Sequence, residues 1–181
     1  VIGRAAYWTM GGKTDGTLWV WGANTKTSGR DGLNGAGGPG DSRSSPVQVP
    51  GTNWVTDRGG YYATASTIAA IKTDGTLWSW GAYNYGNLGV NDAVSRSSPI
   101  QIGSGTDWNS IGGGVNHFLA NKTDGSFWAW GRNNYGQLGI NDGTDRSSPI
   151  QIGSDSMWTS SQIGTGAGGW SSLVILEDTS V

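Results

Sequence analysis

His117 is the single histidine of the chain, so a nucleophilic triad would have one base to draw on and a metal site one imidazole. The serines near it belong to turn segments, and none stands in a Gly-x-Ser-x-Gly elbow. The segment NDGTD gathers Asn141, Asp142 and Asp145, oxygen ligands of the kind a hard cation takes, but their spacing departs from the Asp-x-Asp-x-Asp-Gly loop of calcium sites. Asp15, Asp74 and Asp124 each precede a glycine at the same point of a repeated motif. Acid–base catalysis needs two carboxylates flanking one bond, whereas one carboxylate per repeat at an equivalent slot suits a turn. The reading is therefore of a chain with no catalytic residue, no metal and no cofactor, in which His117 forms a structural hydrogen bond.

The aromatic residues are the other candidates. Two tryptophans stand two positions apart in DGTLWVWG, DGTLWSWG and DGSFWAWG, beginning at residues 15, 74 and 124. On a strand such a pair shares one face, so Trp78 and Trp80 point opposite to Leu77 and Ser79. A ligand platform has no reason to recur identically three times, and packing of one repeat on the next is the better account. Arg43, Arg96 and Arg146 open the recurring RSSP, and a cation once per repeat is placed to cover a tryptophan or bond edge carbonyls. What varies between repeats is the loops: AYNY at 82–85, RNNY at 132–135, DRGGYYATA at 57–65 and an insertion at 23–42. Tyrosine and asparagine on loops over a rigid scaffold make recognition surfaces. The candidate binding residues are accordingly Tyr61, Tyr62, Tyr83, Asn84, Tyr85, Arg132, Asn133, Asn134 and Tyr135.

Those loops must be carried by strands. The chain has 181 residues with 33 glycines and 11 tryptophans, and Glu177 is its lone glutamate. Glycine and aspartate disfavour helix interiors and favour turns, so composition argues for an all-β fold. The net charge of −2, with no run of basic residues, lacks the electrostatic footprint of a nucleic-acid binder. The longest apolar run, LVIL at 173–176, has the length of one buried strand and is far short of a membrane span. The absence of cysteine excludes disulfides and thiolate metal sites. The first residue, Val1, together with the lack of a leader pattern, suggests a processed or trimmed chain.

KTDG at 13, 72 and 122, the Trp-x-Trp-Gly after it, RSSP at 43, 96 and 146, and a lone tryptophan at 54, 108 and 158 recur in that order. The period of about fifty residues, with short strands punctuated by turns, signals propeller blades. Asp-Gly marks a hairpin, because glycine takes the positive φ a tight turn requires. Its partner strands are STIAAIK and HFLANK on one side and the Trp-x-Trp segments on the other. SSPIQIG reads as a third strand led by proline, and a fourth near DWNSIG would complete a four-stranded antiparallel blade. The chain is one propeller segment, 1–181, with units near 13–71, 72–121 and 122–176 and partial units at 1–12 and 177–181. Ser172 and Glu177 align with His117 and Lys122, the start of a further unit. About three blades are present, too few to close a ring, so further blades or copies of the chain are expected to cover open edges.

DGTLWSWGAYNYGNLGVND and DGSFWAWGRNNYGQLGIND resemble the regulator of chromosome condensation repeat. Gly131, Asn133, Gly136, Gln137, Leu138 and Gly139 fall in its pattern, and the first unit, with GLNG at 32–35, departs from it. Kelch repeats share the period but carry a double glycine followed by separated Tyr and Trp. The resemblance implies a seven-bladed β-propeller, and it places His117 where the family repeats a histidine, with Thr67 and Ser172 in the matching slots here. Fold alone does not fix activity: members include a nuclear GTPase exchange factor, a secreted β-lactamase inhibitor, and bacterial and phage proteins, the last being closest in style. The expected function is a non-catalytic binding or structural module of a secreted or virion-surface protein, with a protein or cell-surface glycan as partner. A regulator that engages a folded protein is the alternative.

Overall fold

The computed structural model describes residues 2–4, 8–23, 42–57, 59–154, 163–165 and 172–174. Trp158, Glu177, Arg58, most of the 23–42 insertion and the side chain of Ser172 lie outside the described residues. Every element described is a strand: β1 (Ile2–Arg4), β2 (Trp8–Gly12), β3 (Leu18–Gly22), β4 (Arg43–Gln48), β5 (Tyr61–Ala63), β6 (Thr67–Ile71), β7 (Leu77–Gly81), β8 (Arg96–Gln101), β9 (Trp108–Gly113), β10 (His117–Lys122), β11 (Phe127–Gly131), β12 (Arg146–Gln151), β13 (Ile163–Thr165) and β14 (Ser172–Val174). They form three antiparallel four-stranded meanders, β1–β4, β5–β8 and β9–β12, and a β13–β14 pair. β5 touches β9 and β9 touches β13, so the first strand of each sheet lies innermost and the RSSP strand forms the outer edge.

The Asp-Gly hairpins are three-residue loops. The Gly75 N–H bonds the Lys72 carbonyl at 2.9 Å, and the Lys72 N–H bonds the Thr76 carbonyl at 2.9 Å, a type I turn closed by a left-handed residue. Gly75 has φ +77, and a Cβ there would stand 2.0 Å from the Thr106 carbonyl oxygen. Only glycine meets both demands.

Two expectations are refined. The outer strand starts at Arg96 rather than at its proline, and Pro99 falls inside an irregularity where pairing jumps from Ser79↔Ile100 to Gly81↔Arg96. An edge bulge is where a missing N–H is tolerated. The DWNSIG strand exists, but β9 pairs with β10 and so opens the third sheet instead of closing the second. One KTDG-to-KTDG period therefore draws strands from two sheets.

Strand alternation separates the interfaces. Ile68, Ala70 and Trp80 pack with Met10, Leu18 and Val20 of the first sheet, with Trp78 against that cluster. Ala69, Ile71 and Leu77, on the opposite face, pack with Ile111, Phe118, Ala120 and Trp130 of the third. Leu119, Phe127, Ala129 and Leu138 face Ile163. The Trp78–Trp80 and Trp128–Trp130 pairs thus face the preceding blade.

Candidate binding surface

The two ends of the blades differ in kind. At the hairpin end the chemistry is internal and repeated. Asp74 Oδ1 accepts the Thr76 N–H at 3.0 Å and its hydroxyl at 2.6 Å, and Thr76 Oγ1 accepts the Trp78 indole N–H at 2.8 Å. Asp15 with Thr17 and Trp19, and Asp124 with Ser126 and Trp128, repeat that chain of bonds. Hydrogen bonds from these hydroxyls and backbone amides hold all three carboxyls below the usual range. They are turn residues, committed to their own loops.

The cation over the tryptophans is the KTDG lysine. Lys72 Nζ lies 3.8 Å from the Trp78 ring centroid and 5.1 Å from that of Trp54, and Lys122 lies 4.9 Å from both Trp108 and Trp128. The RSSP arginines take the other role anticipated for them. Arg96 donates to the Val94 carbonyl at 3.0 Å and pairs with Asp92; Arg146 donates to the Thr144 carbonyl at 2.8 Å and pairs with Asp142.

The remaining chemical candidates are absorbed by the scaffold. His117 is buried at the start of β10 opposite Gly131, and burial pulls its imidazole down to about 4. Asp142 accepts from the Thr144 N–H and the Asn133 amide, while Asp145 accepts the Asn133 N–H at 2.7 Å. Among the described residues no three His, Asp or Glu side chains gather as metal ligands.

The candidate residues divide by place and exposure: Tyr61 and Tyr62 lie on β5, Tyr61 towards the hairpin end, and the others at the opposite end, where β7 leads to β8 and β11 to β12. Tyr61 is buried, its hydroxyl accepting the Gly12 N–H at 3.1 Å across the first seam. Asn133 is fully buried and staples its loop, donating to the Asp142 carbonyl at 2.8 Å and accepting the Leu138 N–H at 2.9 Å. These two belong to the scaffold rather than to a recognition surface. Tyr62 is half-buried, edge-on to Phe118 at 6.1 Å, and burial pushes its phenol up to about 12. Tyr83 and Asn84 are half-buried, the Tyr83 N–H bonding Ser95 Oγ at 3.0 Å and the Asn84 amide bonding Ser66 Oγ at 3.1 Å. Asn134 is exposed.

Tyr85 and Tyr135 stand out, 45% and 71% exposed respectively. They occupy the same slot of consecutive blades, and the Arg132 guanidinium lies between them, 4.6 Å from the Tyr85 ring and 5.7 Å from the Tyr135 ring. The Arg132 backbone N–H is fixed on the Asn116 carbonyl at 2.9 Å, as that of Ala82 is on Ser66 one repeat earlier. Tyr85 holds φ +56, a conformation that costs a non-glycine residue about 1–2 kcal/mol. Two tyrosines from different blades bracketing one arginine give a preformed patch of the residue types that dominate protein interfaces. Sequence reasoning named all three residues but not their contact, which joins different repeats. The detectable signal was Arg132 standing where the preceding unit has Ala82.

Comparison with known proteins locates this architecture. The family model described as Regulator of chromosome condensation (RCC1) repeat matches residues 74–120 and 124–173, and a second model of the same repeat matches 108–137. A search of curated proteins returns no match. Among solved structures, yeast Prp20p from Saccharomyces cerevisiae, reported with its binding to Gsp1p and histones, is 18% identical and superposes with a TM-score of 0.70 over 87% of this chain and 39% of its own. Human WBSCR16 is 20% identical, with a TM-score of 0.68 over 84% of this chain and 39% of its own. Yeast RCC1 (Prp20), in a structure with Kap60 bound, is 19% identical, with a TM-score of 0.60 over 84% of this chain and 37% of its own. The chain thus spans about two fifths of the length of these neighbours, which are human and yeast proteins rather than phage ones. With more than half of its residues matched by the repeat model, the chain belongs to the regulator of chromosome condensation (RCC1) repeat family and is a segment of an RCC1-type β-propeller.

Proposed function

We propose that the chain is a non-catalytic, protein-binding propeller segment that engages its partner at the loop end of the second and third blades. The observation that carries this reading is the exposed Tyr85–Arg132–Tyr135 patch. Its tyrosines combine large contact area with few rotatable bonds, and Arg132 is pre-ordered against both rings, which lowers the entropy lost on binding. The structural neighbour Prp20p is reported to bind Gsp1p and histones and to be bound by Kap60, which supports a protein rather than a small molecule as the partner of this fold. The proposal extends to an extracellular or virion-surface setting on the Asn-, Ser-, Thr- and Gly-rich style of the loops, and surface labelling of producing cells or particles tests that part.

Photo-crosslinking in native extract tests the binding surface. A benzophenone amino acid at position 135 is expected to capture one discrete protein, and Arg132→Ala to reduce capture at least tenfold with the fold intact. The same label at Thr106, on the opposite end, should capture nothing comparable. Equal capture from both ends, or capture indifferent to Arg132→Ala, overturns the reading. For the non-catalytic part, a hydrolytic activity lost in His117→Ala with fold retained would reverse the assignment.

A further inference from the structure

The repeats serve as controls for one another, and one buried tryptophan fails the comparison. Trp54 and Trp108 occupy equivalent places: each bridges the lysine that opens KTDG, Lys72 and Lys122, and each follows a glycine by three residues, Gly51 and Gly105. The Trp54 indole N–H is satisfied internally by the Pro50 carbonyl at 3.1 Å. Trp108 is only 7% exposed, yet its Nε1 has no hydrogen-bond partner among the described residues. An indole donor left unpaired in such a place is costly unless something accepts from it.

Its surroundings have changed in step. Asn53 of the earlier copy is replaced by Asp107, whose Oδ1 is ion-paired with Lys122 Nζ at 3.2 Å and, as a carboxylate oxygen, keeps a lone pair free to accept a further hydrogen bond. The three groups converge on Gly105. A Cβ there would stand 3.1 Å from Asp107 Oδ1, 3.3 Å from Trp108 Nε1 and 3.8 Å from Lys122 Nζ. The niche opens into a cleft of about 480 Å³ along the seam of the second and third blades, whose walls include Val90, Ile102, Pro149 and Gln101. That volume is within the range of small-ligand sites.

The chemistry selects the ligand. A donor and an acceptor side by side are completed by a group that does both, which is a hydroxyl. Lys122 and Asp107 balance each other's charge, so a neutral ligand is favoured over an ion. Apolar walls beside a hydroxyl-seeking niche suit a molecule with polar edges and a C–H face. We propose that the Gly105 niche is a saccharide site, in which one sugar hydroxyl accepts the Trp108 indole N–H and donates to Asp107 Oδ1. The site shares no residue with the Tyr85–Arg132–Tyr135 patch.

The test follows the Trp108 indole signal in proton–nitrogen spectra of the whole chain, assigned with Trp108→Phe. The probes are the methyl glycosides of glucose, galactose, mannose and N-acetylglucosamine, with glycerol as a ringless polyol. At least one glycoside should move the Trp108 signal saturably while the Trp54 signal stays still. Asp107→Ala should weaken the response at least tenfold. Gly105→Ala should abolish it, because Gly105 does not need a left-handed backbone and its new methyl group would fill the niche. The proposal is overturned if Trp108 exchanges with water only and no glycoside moves it. It is equally overturned if glycerol does as much as the glycosides, or if the response survives Gly105→Ala.

Discussion

Acidification from pH 7 to pH 4 is expected to destabilise this protein through one residue. His117 has an ordinary pKa near 6.5 when unfolded, and burial holds it at about 4 in the folded chain. A base whose folded pKa is depressed leaves stability intact above pH 6.5. As pH falls below 6.5 the unfolded chain takes up a proton that the folded chain refuses, so stability is lost down to the folded value. At about 1.4 kcal/mol per pH unit of separation, linkage gives a loss of about 2 kcal/mol by pH 5 and about 3 kcal/mol by pH 4. For a domain of this length, 2 kcal/mol corresponds to a fall in Tm of about 4–8 °C. The carboxyls of Asp15, Asp74 and Asp124 are also depressed, but an acid of that kind loses its contribution only below its unfolded value near 3.8, so the two windows separate. Urea unfolding followed by tryptophan fluorescence at half-unit pH steps reads the slope, and His117→Gln should flatten it between pH 6.5 and 4. A flat wild-type profile in that window, or an unchanged slope in His117→Gln, would refute the assignment of the burial to this imidazole.

Two glycines in the same left-handed conformation should respond differently to alanine. Gly103→Ala, with nothing near its Cβ, should cost about 1–2 kcal/mol, whereas Gly75→Ala, aimed at the Thr106 carbonyl, should cost more than about 3 kcal/mol or prevent folding, as chemical denaturation will show. Trp130 is fully buried and its indole N–H bonds the Asn87 carbonyl of the preceding blade at 3.0 Å; Trp130→Phe should cost about 2–3 kcal/mol. Trp128 is half-buried with an internal Ser126 partner, so Trp128→Phe should cost about 1 kcal/mol by the same assay. Tyr85→Asn relieves a left-handed tyrosine and should leave stability unchanged or raised by up to about 1 kcal/mol, while photo-capture at position 135 falls.

The sequence was most legible where local chemistry and periodicity coincide. Asp74–Gly75 had to turn because the positive φ is a property of the residue, and Trp78 and Trp80 had to share a face because strand alternation leaves no choice. The direction of the outer edge was readable from Pro99, though not its place in a bulge, which depends on pairing with Ser79 and Gly81. Exposure of the loop residues was not legible. Asn133 and Tyr83 occupy the same slot, yet Asn133 is buried as a staple on Asp142 and Leu138 while Tyr83 lies half-buried beside Ser95. Which side chain turns inward is decided by partners five to nine residues away, beyond the reach of a local pattern.

Non-repeating residues become informative only once the repeats are superposed, because each blade fixes the backbone of its neighbour's counterpart. Arg132 replaces Ala82, Asp107 replaces Asn53 and His117 replaces Thr67, all within or against the third blade. Thr67 satisfies itself, donating to the Ala82 carbonyl at 2.8 Å and accepting from Asn87 at 2.6 Å, and the Trp54 indole beside Asn53 finds a carbonyl of its own segment. In the third blade the same slots hold a titratable ring, an indole N–H lacking an internal acceptor, and a cation stacked between two exposed tyrosines. Of these, the indole N–H without an internal acceptor lowers stability, as does the left-handed backbone of Tyr85 in the second blade. The unpaired Trp108 indole and the left-handed Tyr85 lie at the two surfaces proposed above, the Gly105 niche and the Tyr85–Arg132–Tyr135 patch, and binding at those surfaces would offset their costs.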